Sequence, residues 1–257
     1  MTDPVLLSRD GEVAVVTLNE PERRNALSLN MREVLFEILD EAMASDARAI
    51  VLAGAGGNFC SGGDIKSFDP GAPLVEIRDR LNRLHRVARI LLTGKKPVIA
   101  AVDGYAFGAG VSLALACDHV VAAKDSRFCA SFNRVALMGD LGLLYTLPLR
   151  VGMGKARELL MLGEIVEAAE ALTIGLVDRL VEPGRVLAAA IERAKLFAAS
   201  PPVALAMTKS ALARMPASLD EVLQMELDGQ SALFQTADHA EGRAAFLEKR
   251  APKFQGR

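Results

Sequence analysis

Two short apolar runs, Ala49–Gly54 ("AIVLAG") and Val98–Val102 ("VIAAV"), each lead into a glycine-rich loop. After the second, a helical pattern begins at about Gly110 and a further strand follows Asp118. This repeat limits the fold more than any other feature. An unbroken apolar run of strand length reads as a strand buried on both faces, and strands alternating with helices argue for an α/β core. The loops are "AGAGGNFCSGGDI" (Ala53–Ile65) and "DGYAFGAGVSLALACD" (Asp103–Asp118). Neither is a phosphate loop, because no Gly-Lys-Ser/Thr follows. Gly108-Ala-Gly110 also lacks the third glycine of the dinucleotide fingerprint. Two readings stay open. The loops are tight strand–helix turns, or each offers a free backbone N–H beside a helix N-terminus, together an oxyanion hole for a thioester or similar carbonyl.

The rest of the chain fits around this repeat. "VLLSRDGEVAVVTLN" holds two β-type runs about Asp10-Gly11, a hairpin signal. Met31, Val34, Leu35, Ile38, Leu39 and Ala42 mark one face of a helix. Asn30 is its expected cap, with Glu33 as the return arm and Leu29 and Val34 as a staple. Val75–Leu92 reads as another helix. Beyond about Ser200 no strand signal appears. Ser200 is the expected cap of a helix with Pro201 at its first position, and Ser218-x-x-Glu221 is a capping box. The expected division is an α/β core over 1–199 and a helical region over 200–257. That tail either covers its own core or mediates oligomerisation.

The chain has 257 residues, 51% of them apolar and 24% charged, enough for a sizeable core without staples. A net charge of −2 argues against a nucleic-acid partner. Cys60, Cys117 and Cys129 have no metal-type spacing and read as reduced thiols of a cytoplasmic protein. The N-terminal residues show no secretory signal, and the most apolar stretch, Gly104–Cys117, is too short to span a bilayer, so no membrane partner is expected.

One acid stands out. In "FNRVALMGDLG" (Phe132–Gly142), Asp140 lies in an apolar run. It caps the helix that follows, or it moves a proton. Other polar residues carry less. Ser112, Asp118 and His119 do not converge as a triad. His85 and His239 read as surface helix residues, Asp64 as a turn or cap. Asn133 and Arg134 are turn residues or polar groups near a ligand.

Five segments occur in order along essentially the whole chain: "NEPERRNALS" (Asn19–Ser28), "NFCSGGDI", "KKPVIAAVDGYAFGAG", "ALACDHVVAA" and "HAEGRAAFLEKRAPKFQG" (His239–Gly256). Together they resemble the crotonase superfamily, also called the enoyl-CoA hydratase/isomerase family. The resemblance implies a crotonase-like α/β spiral of ββα units with a helical C-terminal trimerisation domain. It implies trimers or hexamers, an acyl-CoA thioester ligand, and no cofactor beyond the coenzyme A carried by the substrate. The thioester carbonyl would lie between the N–H groups of Gly63 and Ala109, with the positive end of the following helix beside it. Arg23, Arg24 and Ala26 would hold the CoA nucleotide, Ser61 and Ile65 would line the entrance, and Phe246 and Lys249 would reach CoA, on a neighbouring subunit. Read without the resemblance, those charges are solvated surface residues. The acyl tail would meet residues between Phe68 and Leu92 and the C-terminal helices.

The chain departs from the family's hydratases, which resemble two-carboxylate machines with one acid for water and one for the α-carbon. The two matching positions are Ser112 and Phe132. Asp140 instead matches the acid of the family's double-bond isomerases, although Gly139 and Leu141 replace the proline and first glycine of their Pro-Asp-Gly-Gly. The C-terminal segment is similar to the isomerases of aerobic phenylacetate breakdown, which act on ring-epoxide and 3-enoyl thioesters. One carboxylate suffices for such a reaction. Leu137, Met138, Leu141 and Leu143 would keep it dry and raise its pKa. The resemblance thus implies an isomerase before a hydratase-type lyase or other CoA-thioester chemistry, with a non-catalytic acyl-CoA-binding subunit as a further alternative.

Overall fold

A computed structural model describes residues 3–257 except Phe68 and Pro70. The Phe68 end of the expected acyl-tail segment therefore lies outside the described residues. The hairpin forms as expected: β1 (Val5–Asp10) pairs antiparallel with β2 (Val13–Leu18), with Asp10 opposite Val13. Parallel strands β3 (Ala49–Gly54), β4 (Val98–Val102), β6 (His119–Ala123) and β9 (Arg179–Val181) extend the sheet in the order β1-β2-β3-β4-β6-β9. A smaller sheet of β5 (Tyr105–Phe107), β7 (Arg127–Cys129) and β8 (Ile165–Glu167) stands beside it.

The unbroken apolar runs are explained by two cores, one on each face of the large sheet. Val16, Ile50, Leu52, Val98, Ala100 and Val120 pack on one side. Their neighbours Val15, Val51, Ile99, Ala101 and Val121 pack on the other. With a side-chain period of two, a strand buried on both faces has no polar position to give. Helices α1 (Leu29–Ala44), α2 (Leu74–Thr93) and α3 (Ala109–Ala116) contribute Leu35, Leu39, Val87, Leu91 and Leu113 to the first core. The alanine-rich α6 (Val186–Ala198) contributes Ala189, Ala190 and Ala194 to the second. Two further helices, α4 (Leu143–Leu162) and α5 (Ala168–Thr173), lead from the first core towards β9, and α4 is interrupted at Gly152 (φ +76°).

After Ser200 the described chain holds only the helices α7 (Pro202–Leu212), α8 (Leu219–Leu233) and α9 (Ala237–Glu248). The capping box at Ser218 and Glu221 is present. Two expected caps are corrected. Helix α1 is capped by Ser28, whose Oγ accepts the Met31 N–H at 3.1 Å, so the helix begins two residues ahead of the Asn30 reading. Ser200 caps nothing: Pro201 is the N-cap of α7, and the Ser200 hydroxyl donates back to the Leu196 carbonyl at 3.2 Å. The helical region is anchored to the core. The buried Lys209 ammonium donates to Asp118 at 2.6 Å and to the Lys96 carbonyl at 3.0 Å. The Tyr145 hydroxyl donates to the carbonyl of Met215 at 2.6 Å. Among the described residues no helix is long and apolar enough to cross a membrane. The three cysteines are buried and unbridged, and burial raises the Cys60 and Cys117 thiols to about 12.

Candidate active site

The two glycine loops lie side by side. Cys60 forms a parallel bridge with Ala106: its N–H donates to the Tyr105 carbonyl at 2.9 Å, and its carbonyl accepts from Phe107 at 3.0 Å. The same register runs on to Gly62 and Gly108. A Cβ on Gly62 would stand 2.9 Å from the Phe107 carbonyl oxygen and 3.6 Å from the Gly108 Cα, and Gly62 is left-handed at φ +104°. One residue further, Gly63 and Ala109 are therefore neighbours. Neither donates its backbone N–H to another group among the described residues. Ala109 opens α3, so its N–H has no intrahelical acceptor and the positive end of the helix faces the same place. Gly110 sits so close to Cys60 that a Cβ would meet its carbonyl at 2.2 Å, which keeps the helix start pressed on the first loop.

A third segment clasps the first loop. Leu27 donates to the Gly62 carbonyl at 2.8 Å, and its own carbonyl accepts from Asp64 at 3.3 Å, so Leu27 brackets Gly63. Ser61 N–H donates to the Arg24 carbonyl at 3.0 Å. The Arg23 guanidinium donates to the Asp64 carboxylate and lies 3.6 Å from Glu20. Asp64 is thus an ion-pair partner as well as a turn residue. Arg24 stands over the Tyr105 ring, 5.4 Å from its centroid. Ala26 and Ser61 are half-buried and Ile65 is exposed. These five residues share one region with Gly63. Phe246 and Lys249 do not join it through contacts within the chain. They lie on and just beyond α9, which is tied instead to the C-terminal segment through the Asp238 carboxylate and the N–H groups of Gln255 and Gly256. Phe246 is 83% exposed.

Asn25 is a residue the sequence reading passed over. Fully buried and left-handed at φ +54°, it accepts from Glu20 N–H at 3.0 Å and donates to the carbonyls of Ala55 at 2.9 Å and Asn58 at 2.7 Å. It sits inside a quoted motif, but its partners lie on a loop distant in sequence, which spacing does not reveal.

Asp140 is not a helix cap. The N-cap of α4 is Gly142, with no side-chain bond, and Asp140 meets the helix through its own carbonyl, which accepts from Leu143 at 3.0 Å. Its carboxylate Oδ1 is buried without a hydrogen-bond partner among the described residues. Burial raises this carboxyl above its ordinary range, and the charges of Arg32 and His85 oppose the rise. The expected apolar flanks divide between core and surface. Leu141 and Leu143 are fully buried, whereas Leu137 and Met138 are 50% and 71% exposed and do not enclose the acid within the chain. Leu141 is left-handed at φ +52°, an unfavourable state for a branched side chain.

The remaining candidates sort plainly. Ser112 is fully buried inside α3, its hydroxyl donating to the Gly108 carbonyl at 3.4 Å. Phe132 packs against the first core. Asp118 accepts from Val98 N–H and Lys209, while His119 lies 3.6 Å from Asp178, so Ser112, Asp118 and His119 form no triad. Asn133 and Arg134 bind the carbonyls of Met161 and Gly163 at the end of α4. His85 and His239 are exposed as expected.

Residues 8–257 match the family described as Enoyl-CoA hydratase/isomerase. The chain belongs to the enoyl-CoA hydratase/isomerase family. Within it, the chain is 34% identical to the 1,2-epoxyphenylacetyl-CoA isomerase of Escherichia coli K12, covering 100% of both chains. It is also 34% identical to the short-chain-enoyl-CoA hydratase of Clostridium acetobutylicum, over 96% of this chain and 95% of the other. Among solved structures, an enoyl-CoA hydratase from Polaromonas sp. JS666 superposes with a TM-score of 0.92 at 35% identity, over 98% of this chain and 99% of that one. The fold is the α/β crotonase fold, and the relatives include both hydratases and isomerases.

Proposed function

We propose that this family member is an acyl-CoA thioester isomerase with Asp140 as its single proton shuttle. The observation that carries the reading is the Asp140 carboxylate, buried with an unpartnered oxygen and released from any capping duty. Both positions that match the hydratase acids, Ser112 and Phe132, are non-acidic and engaged in packing. The carboxylate takes a proton from C2 of a 3-enoyl thioester, becoming a neutral acid. The electrons move into a dienolate whose oxygen is opposed by the N–H groups of Gly63 and Ala109, each such donor being worth about 3–4 kcal/mol of barrier. The same proton returns at C4, and the double bond ends between C2 and C3. A ring-epoxide acyl-CoA is a second substrate class to test. Arg23, Arg24, Ala26, Ser61 and Ile65 form the CoA-facing mouth. Phe246 and Lys249 serve a neighbouring subunit, and the exposed Leu219, Leu223, Leu227 and Phe234 of the helical region belong to a trimer or hexamer contact.

The hydratase names among the relatives favour a second reading, addition of water to a 2-enoyl thioester. Purified protein assayed on 3-enoyl-CoA and on crotonyl-CoA separates the two. The isomerase reading expects bond migration that Asp140→Asn abolishes while circular dichroism is unchanged. Turnover that survives in this variant, or crotonyl-CoA hydration exceeding isomerisation, refutes it.

A further inference from the structure

We propose that Arg23 and Asp64 form a positioning pair that keeps the Gly63 N–H on its aim. The inference rests on the thioester reading above, and one arm of its test does not need the isomerase chemistry. The peptide between Gly62 and Gly63 is trans, so its N–H points opposite to its carbonyl. Leu27 N–H holds that carbonyl at 2.8 Å, which turns the Gly63 N–H away from the Leu27 segment. The second loop flanks the other edge, paired through Cys60 and Ala106. The aim therefore depends on how firmly residues 61–64 stay on the segment 23–27. Ser61 fixes one end: its N–H donates to the Arg24 carbonyl at 3.0 Å and its hydroxyl to the Arg23 carbonyl at 3.3 Å. At the other end the backbone bond is long, Asp64 N–H to the Leu27 carbonyl at 3.3 Å. The Arg23 guanidinium closes that end by donating to the Asp64 carboxylate.

The contacts separate this role from a direct hold on CoA. The guanidinium lies between two carboxylates, that of Asp64 and that of Glu20 at 3.6 Å. Its charge is offset within the chain, so little remains to draw a phosphate. Asp64 is also held on its far side, where its carbonyl accepts the Ser67 N–H at 3.0 Å and the Ser67 hydroxyl at 2.7 Å. The Asp64 side chain is only 12% exposed. Without Arg23 it is a nearly buried charge that has lost its partner, and it relaxes toward water. Gly63, one residue before it, moves with it. Arg23 thus serves the mouth as a strut, and the developing enolate oxygen meets a donor whose position is set from outside the pocket.

The test separates positioning from binding. Displacing a reacting group by about an ångström costs about 100-fold in rate, so partial loosening should lower kcat for 3-enoyl-CoA isomerisation by about tenfold in Arg23→Gln and in Asp64→Asn. KM should stay unchanged, the mark of an interaction made only in the transition state. The double variant should be no slower than either single one, because the two side chains act through one contact. A raised KM with wild-type kcat in Arg23→Gln makes Arg23 a CoA contact and overturns the proposal, as do losses that multiply in the double variant. Arg23 is the more exposed partner, at 42%, so Arg23→Gln carries the test if Asp64→Asn does not fold. A second arm needs no turnover. Saturating butyryl-CoA, labelled with 13C at the thioester carbonyl, should show its infrared carbonyl band at lower frequency when bound to the wild type, and Arg23→Gln should lose most of that shift. If Asp140→Asn keeps full activity, the isomerase reading falls while the band still reports on the pair. An identical band in wild type and Arg23→Gln overturns the pair, and a wild type that leaves the band unmoved removes the oxyanion donors and the pair together.

Discussion

Asp140→Asn should make the protein more stable while removing its proposed chemistry. The wild-type Oδ1 is buried without a hydrogen-bond partner. Leaving a buried polar atom unsatisfied costs about 1–3 kcal/mol, and more when it is charged. Asparagine keeps the shape and one unsatisfied oxygen but removes the charge, so about 1–2 kcal/mol should be recovered at neutral pH. For a chain of this size that corresponds to a Tm higher by about 2–8 °C. The pH dependence follows from the direction of the Asp140 shift. Its folded pKa is raised. Between the unfolded value of about 3.9 and the folded one, the native state holds more protons, so wild-type stability falls as pH rises through that window. The advantage of the variant is therefore full above the folded pKa and absent below the unfolded one. Calorimetry at fixed protein concentration, at about pH 8 and at about pH 4, measures both ends. A variant that melts at or below the wild type at the higher pH refutes the reasoning. So does a gap of equal size at both.

Two further outcomes test the loops. Asn25→Ala removes the three hydrogen bonds of a buried side chain and places alanine at a left-handed φ. It should cost about 3–5 kcal/mol in urea unfolding, and a loss below about 1 kcal/mol would falsify the clasp role. Gly62→Ala puts a methyl 2.9 Å from the Phe107 carbonyl oxygen, which must spread the two loops. Displacing reacting groups by about an ångström costs about 100-fold in rate, so thioester turnover should fall by that order, and activity within threefold of wild type contradicts the geometry.

Much of the frame was legible in the sequence because burial on both sheet faces writes itself as unbroken apolar runs. β3, β4 and the hairpin are found where those runs stand. The short elements were not read. β5, β7 and β8 have three residues each, too few for a period to show. The α1 cap was misread for a local reason: Ser28 and Asn30 are both good caps two residues apart, and the hydrophobic face alone does not choose between them. The pairing of Gly62 with Gly108 and the bracketing of Gly63 by Leu27 depend on register between distant segments. Asp140 divides the same way. Its presence and its apolar flanks are sequence facts, but the absence of a cap bond follows from the backbone turn that separates it from α4.

That turn sets a limit on how the protein can change. Leu141 and Gly142 are consecutive left-handed residues, at φ +52° and +81°. The Leu141 side chain is fully buried, and burying a leucine gains about 1.5–3 kcal/mol, enough to outweigh about 1–2 kcal/mol for the backbone state. The leucine works as a peg driven through an elbow: removing it relaxes the bend and loosens the joint in the same step. The position of the Asp140 carboxyl thus depends on how tightly its neighbouring leucine is held, and not on any bond between the acid and the helix it precedes.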